Sequence, residues 1–396
     1  MATERPQSDR FEDIDWDSVS SGFRFGIPPR SLGMLLSALG IVALFAYDRY
    51  VLSSDTATFE QLGWGYNVTQ IDWLFMFALL FIFFYIVVPL YQNPRMTRYY
   101  WDNFKKNRPA LLSLVYLLAI FAIGMVGPLF ISKPELALFD QYQPPVYTSV
   151  SASYPIECAG EVANGACHGT WEHPMGTDGD GRSILKIVIF GMTLSMKLGF
   201  IIAMIVVVIG SVVGTVAAYA GSLVDEILMR YVDIQQVFPA FLLYLLIIYI
   251  YSQDIIFFIL VYGFLSWGGT ARYVRSNALQ KTEEEYIKAA KASGASTWHV
   301  IRRHLVPNTA SSIITQTTLL IPGVILAEAG FSFLGLGDPS IPSWGQAIAA
   351  GRDDLDFAWW IATIPGVFLF FTILAFNFLG DALLDAINPQ AEAENE

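Results

Sequence analysis

The side chains able to do covalent or metal chemistry are few. The chain holds two cysteines, Cys158 and Cys167, and four histidines. Both cysteines and two of the histidines fall in one stretch, "CAGEVANGACHGTWEH", from Cys158 to His173. In an oxidising exterior such a pair closes into a disulfide. The competing chemistry is a metal site completed by His168 and His173, but the tight C-x-x-C spacing of zinc sites is missing. A disulfide and no metal is therefore the expectation. No H-E-x-x-H and no nucleophile motif stands out. No G-x-x-x-x-G-K-[ST] phosphate loop occurs, so the chain carries no ATPase of its own. Asn67-Val68-Thr69 is a glycosylation sequon, close to an apolar run that starts at Trp73.

The other unusual stretch is mechanical in character: "EEEYIKAAKASGASTWHVIRRHLVPN", residues 283–308. Residues 283–293 are rich in the helix formers Glu, Lys and Ala. The leading acids suit the positive end of a helix dipole, and Lys288 and Lys291 suit its negative end. Glu284 and Lys288 are four apart, a supportive pair. Gly294 stops the helix by taking the left-handed conformation cheaply. Ser296 or Thr297 caps a second helix, from Trp298 to about His304, and Pro307 breaks the chain before the next apolar run. The prediction is helix, sharp turn, helix. Ala289, Ala290 and Ser293 form a small-residue patch, and Ile287, Val300 and Ile301 are apolar anchors. Such an elbow suits a partner's groove. It equally suits a solvated loop lying on the membrane surface.

These features must be positioned by apolar elements. Of the 396 residues 54% are hydrophobic and 15% charged, against about a quarter charged in soluble domains. Long uncharged runs occupy residues 31–47, 73–94, 110–131, 198–224, 234–253, 255–271, 305–327 and 357–380. A spanning helix needs roughly 20 apolar residues. Backbone groups in lipid must bond internally, so the runs read as helices. The expected fold class is all-α: a polytopic membrane protein of about eight transmembrane helices. Pro239, Pro322 and Pro365 lie within runs, where proline kinks a helix or simply packs.

Basic residues set the orientation. Residues 272–303 carry Arg272, Arg275, Lys281, Lys288, Lys291, Arg302 and Arg303, and residues 95–108 carry Arg95, Arg98, Lys105, Lys106 and Arg108. The opposite loops, 48–72, 132–182 and 338–356, hold only Arg49, Lys133, Arg182 and Arg352. The positive-inside rule then places both termini in the cytoplasm of a multi-pass cell-membrane protein. Net charge is −12, with acids concentrated in both tails and the outer loops. That balance suits a salt-adapted (halophilic) protein, in which screening tolerates dense acid, and disfavours a nucleic-acid partner. Residues 1–30 read as an acidic cytoplasmic tail rather than a signal peptide, and 390–396 as an acidic C-terminal tail. Ionisable groups inside the runs are scarce, with Lys197 and Glu328 at their edges, so ion-coupled transport is disfavoured.

The pattern Glu285, Ala289, Ala290, Gly294, Ile301, His304, Leu305, Pro307 and Asn308 resembles the EAA loop of permease subunits in binding-protein-dependent ABC importers. "HPMGTDGDGRSILKIVIFGMTLSMKLG" (173–199), "EAGFSFLGLGDPSIPSWGQAI" (328–348) and "FNFLGDALLDAINP" (376–389) resemble the C-type subunit of the dipeptide/oligopeptide/nickel branch. The likeness covers roughly residues 105–389, a permease domain with its outer loop at 132–182 and its EAA loop at 283–308. It implies that the elbow, through Glu285, Ala289, Ala290, Gly294, Ile301, His304 and Pro307, docks on a cytoplasmic ATP-binding subunit. It also implies an outer-face motif: Gly176, Thr177, Asp178, Gly181 and Arg182, with Gly335, Gly337, Ser343 and Trp344. Residues 335–345 are expected as scaffold near the gate and 132–182 partly as a docking surface.

The implied partners are a second, B-type permease subunit, two ATP-binding subunits that use ATP and magnesium, an extracellular solute-binding protein and the lipid bilayer. The chain itself would bind no cofactor and form half of a pathway for peptides or a related solute. The alternatives are a secondary transporter or a membrane-embedded enzyme. Two features depart from the family's six-span pattern: the additional pair of helices at 31–94, and an outer loop longer than usual. The extra pair would pack on a partner or lengthen the lipid-facing wall.

Overall fold

Uncharged runs with no hydrogen-bonding solvent close their backbone bonds locally, and helices dominate the computed structural model. It describes residues 29–52, 58, 67–154 and 157–387. The sequon residue Asn67 is described and exposed; both tails lie outside the described residues. In chain order come α1 (Pro29–Tyr50), α2 (Gln70–Ile82), a π turn, α3 (Val88–Gln92), α4 (Pro94–Phe104) and α5 (Arg108–Phe130). A three-stranded antiparallel sheet follows: β1 (Ser149–Ser151), β2 (Val162–Ala163) and β3 (Ala166–His168), in the order β1-β3-β2. Then come α6 (Ile184–Tyr219), α7 (Ser222–Val237), α8 (Ala240–Ile250), α9 (Ile255–Leu265) and α10 (Trp267–Thr282). The elbow is α11 (Glu285–Ala292) and α12 (Thr297–Val300), and α13 (Val306–Phe333), α14 (Trp344–Gly351) and α15 (Trp360–Ile387) complete the described helices.

Among the described residues seven helical units are long and apolar enough to cross a membrane, or eight if the bent pair α7–α8 counts as one span. The polytopic all-α class holds, with one small sheet added. The run at 234–253 is not one straight span: α7 and α8 meet at 66°. Pro239 has no N–H to continue the ladder, and it forces Phe238 into extended backbone (ψ 125°). The run expected from residue 198 begins instead at Ile184, because Lys186 and Lys197 interrupt the apolar pattern without interrupting the helix. It ends at Tyr219, before Gly221 turns the chain at φ 104°. The 272–282 segment, expected in a cytoplasmic loop, is helical, and its arginines are paired. Arg272 bonds Asp233, and Arg275 grips Asp225 through two guanidinium nitrogens. Those pairs tie α10 to α7.

α6 is the central post. Its 36 residues span about 54 Å. Its glycines sit where other elements come closest. A Cβ on Gly191 would lie 2.4 Å from the Trp344 ring, and one on Gly214 would lie 2.4 Å from the Ala271 carbonyl oxygen of α10. Small residues let helix backbones approach, the packing mode that replaces hydrophobic drive in lipid. One core gathers α2, α6, α8 and α9 around Phe75, Leu198, Ile202, Tyr244 and Phe258. A second joins α5, α6, α13, α14 and α15 around Ile120, Met196, Ile325, Trp344 and Trp360.

Candidate functional site

Two assemblies stand at the ends of α6. At one end is the elbow. α11 ends as the sequence predicts: Gly294 has φ 81°, and the Ala295 N–H donates to the Ala290 carbonyl at 3.1 Å. That six-to-one bond is the Schellman closure, and Ala290 and Ala295 both pack on the apolar cluster beneath the turn. Ser296 caps α12, its hydroxyl accepting from the His299 N–H at 3.3 Å. The chain is not broken at Pro307. α12 runs through a π turn, Ile301–Leu305, straight into α13. Pro307 lies in the first turn of α13, where a missing N–H is tolerated.

The elbow's faces differ from expectation. Ile287, Val300 and Leu305 are fully buried against Ala278 of α10, with Ala218 and Tyr219 of α6 alongside. Ile301 is buried too. These apolar residues do not reach toward a partner; they bind the elbow to its own spans, each contributing about 1.5–3 kcal/mol by leaving water. Ala290 packs on the same cluster, whereas Ala289 is exposed. Glu285 is 92% exposed and pairs with Lys288 at 3.4 Å; the expected partner Glu284 instead meets Lys281 at 3.6 Å. The outward face is therefore Glu285, Tyr286, Ala289 and Ser293. The side chains of His304 and Pro307 lie outside the described residues.

At the other end of α6, near the sheet, is a turn built on Thr177 and Asp178. Both are buried. The Thr177 hydroxyl donates to the Asp140 carbonyl and accepts from the Gln143 N–H at 2.8 Å. The Thr177 carbonyl accepts from the Trp360 indole N–H at 3.0 Å. Asp178 accepts from the N–H groups of Asp180 and Arg182 at 3.0 and 2.8 Å, and from the Arg182 guanidinium at 2.9 Å. Burial pushes the Asp178 carboxyl above its ordinary value, and Arg182 pulls it back. Gly181 takes φ 73° with its Cα against the Ala137 carbonyl: a Cβ would sit 1.7 Å from that oxygen. Gly176 (φ 79°) lies against the Trp360 ring. With its carboxylate only 3% exposed, Asp178 is unavailable to a docking protein. The motif holds the turn that starts α6.

The 335–345 segment is held by hydrogen bonds and close packing to its own helices. Gly335 takes φ 76° and its carbonyl accepts from Gln253 at 2.9 Å. Gly337 packs on Ser332, and the Tyr244 hydroxyl donates to the Leu336 carbonyl at 2.9 Å. Ser343 caps α14 through the Gln346 N–H, and the Trp344 indole donates to the Val188 carbonyl of α6 at 3.1 Å. Cys158 and Cys167 are joined, Cα to Cα 5.7 Å, with Cys167 buried in β3 opposite Val150 and Val162. Among the described residues no three His, Cys, Asp or Glu side chains gather as a metal group. Replacing both cysteines with serine removes a loop constraint worth about 2–3 kcal/mol. The expected result is faster proteolysis within 145–175 with unchanged melting of the spans, read by limited digestion and thermal unfolding of the purified protein.

Sequence reasoning placed Lys197 and Glu328 at run edges. Both are inside helices; Glu328 is buried and the Lys197 side chain is 11% exposed. Lys197 pairs with Asp72 of α2, and Glu328 accepts from the Ser332 hydroxyl at 2.7 Å. Asp72 was missed altogether, although Thr69-x-x-Asp72 before an apolar run is a capping-box signal.

The matches to known proteins fall on this framework. The model "Binding-protein-dependent transport system inner membrane component" matches residues 207–392, which contain the elbow and α13–α15. "N-terminal TM domain of oligopeptide transport permease C" matches residues 95–145. The dipeptide transport system permease protein DppC of Bacillus subtilis (strain 168) is 33% identical over 295 residues, covering 73% of this chain and 84% of that protein. The chain belongs to the inner-membrane permease subunits of binding-protein-dependent ABC importers. The oligopeptide transport system permease protein OppC of Escherichia coli (strain K12) is 32% identical over 289 residues, covering 73% of this chain and 89% of that protein. Membership in the dipeptide/oligopeptide permease branch makes this a transport subunit rather than an ATPase, seated in the membrane by several apolar helices. The helices α1–α3 precede both matched segments of the permease, and the sheet and disulfide fall between them.

Proposed function

We propose that this permease forms half of the translocation pathway of an ATP-driven importer of dipeptides or oligopeptides, and that the elbow is its coupling element. The single observation carrying this reading is the elbow's construction. Its bend is fixed by Gly294, its inner face is fused to α6 and α10, and its outer face offers Glu285 and the small side chain of Ala289. A rigid projection of that kind transmits displacement to the spans it is packed on, which coupling between two states requires. The sheet end faces the exterior, and the elbow end, rich in Arg and Lys, faces the cytoplasm with both termini. The relatives' names support peptides as cargo. ATP and magnesium are handled by two partner ATP-binding subunits, and a second permease and a solute-binding protein complete the importer.

Both cysteines are joined in the sheet region, so Ala289→Cys supplies a single free thiol. In the assembled complex, a short bismaleimide is expected to link Cys at 289 to an ATP-binding subunit, and ATP is expected to change the yield. A thiol that labels freely and never crosslinks to such a subunit removes the coupling role.

A further inference from the structure

The additional helices are joined to the permease core by charge as well as by packing. Asp72 lies in the first turn of α2, where a carboxylate suits the helix dipole. One oxygen accepts from the N–H and the hydroxyl of Thr69, each at 2.8 Å, and the other meets the Lys197 ammonium. The two side chains are 9% and 11% exposed. Around them Phe75 meets Phe121 of α5 and Phe200 of α6, at 6.4 and 6.3 Å between ring centres. α1 closes over α2 from the far side: Phe45 contacts Trp73 edge-on at 6.1 Å, and Arg30 lies 5.2 Å over the Tyr85 ring.

Lys197 belongs to α6, the helix that supports the Thr177 turn, Trp344, α10 and the elbow cluster. α6 is continuous from Ile184 to Tyr219. Among its neighbours α7 and α8 meet at a 66° bend, whereas α9 runs on through Ser266 into α10 as one span. Parting this half-buried lysine from its buried carboxylate leaves two uncompensated charges in a largely apolar setting, the costly way to break such a pair.

We propose that α1 and α2 form an integral clasp, locked to α6 by Asp72 and Lys197, that moves with α6 as one rigid unit when the elbow displaces the spans. Asp72 and Lys197 are positioning residues. Movement as one unit during transport rests on the importer reading; the lock does not.

Two measurements test this on the full complex, melting in lipid nanodiscs and import in proteoliposomes. Asp72→Asn and Lys197→Met should each lower the melting temperature and the folded yield, whereas the double variant should recover most of both, because neither partner is then left charged and alone. Single variants that melt with the parent protein overturn the lock. In the second arm, Asp72→Cys with Lys197→Cys is bridged by a short bis-methanethiosulfonate. The bridged complex should keep the unbridged variant's ratio of peptide imported to ATP hydrolysed. Loss of import on bridging, restored by reduction, shows that α2 and α6 must part during transport and overturns the rigid unit. Melting needs neither ATP nor cargo, so a parent complex that imports no peptide refutes the importer reading and leaves the lock standing or falling on its own arm.

Discussion

Gly294→Val is expected to leave the chain inserted and folded while lowering peptide uptake roughly five- to thirtyfold, with ATP hydrolysis by the complex persisting. Gly294 sits at φ 81° with no atom within 4 Å of the place a Cβ would occupy. The substitution therefore meets no clash; its effect is conformational. A β-branched residue resists the left-handed region, and L residues there cost about 1–2 kcal/mol. That cost is relieved by opening the turn, which breaks the Ala295 to Ala290 bond and frees the angle between α11 and α12. At about 1.4 kcal/mol per tenfold, the docked geometry loses the stated factor. Asn tolerates this conformation, so Gly294→Asn should retain most uptake. Uptake and phosphate release measured together in proteoliposomes decide it; unchanged uptake with valine ends the assignment of the bend as a coupling joint.

Trp360→Ala is expected to be the most destabilising single truncation at the sheet end, by about 3–5 kcal/mol. Trp360 is 1% exposed, packs against Gly176 and donates to the Thr177 carbonyl at 3.0 Å. Alanine leaves a cavity and an unpaired buried carbonyl together. The Thr177 turn then loses the wall that holds it at the start of α6. Trp360→Phe keeps most of the volume and removes the donor, so its loss should be nearer 1–2 kcal/mol. Thermal unfolding of the purified protein ranks the two. Equal melting temperatures for the alanine variant and the parent would show that the turn is held some other way.

The elbow was legible in the sequence because its signals are local. Glu, Lys and Ala build α11, Gly294 ends it and Ser296 starts α12, each within a few residues of the bond it makes. Its polarity was not legible. Ile287, Val300 and Ile301 read as anchors for a partner, yet they are buried on this chain's own helices. Nothing local tells an apolar residue which surface will cover it. The outer motif shows the same limit. Thr177, Asp178 and Arg182 are recognisable as a group, but the sequence is silent on the Gln143, Ala137 and Trp360 groups that surround them. Pro307 misled for the opposite reason: a proline inside an apparent helix signals a break, and here it falls in the first turn of α13, where it costs little.

What the sequence determined by itself is the class: long uncharged runs must become helices in lipid, because every N–H and C=O has to be satisfied within its own segment. It also determined the elbow's bend and, through separated motifs, the permease family. Only the tertiary structure decided where α6 begins, how α7 and α8 bend apart, and that Asp72 meets Lys197 across 125 positions of chain. Charges that look like the end of a span are kept inside it by partners from distant segments, and that pairing is a property of packing rather than of any local pattern.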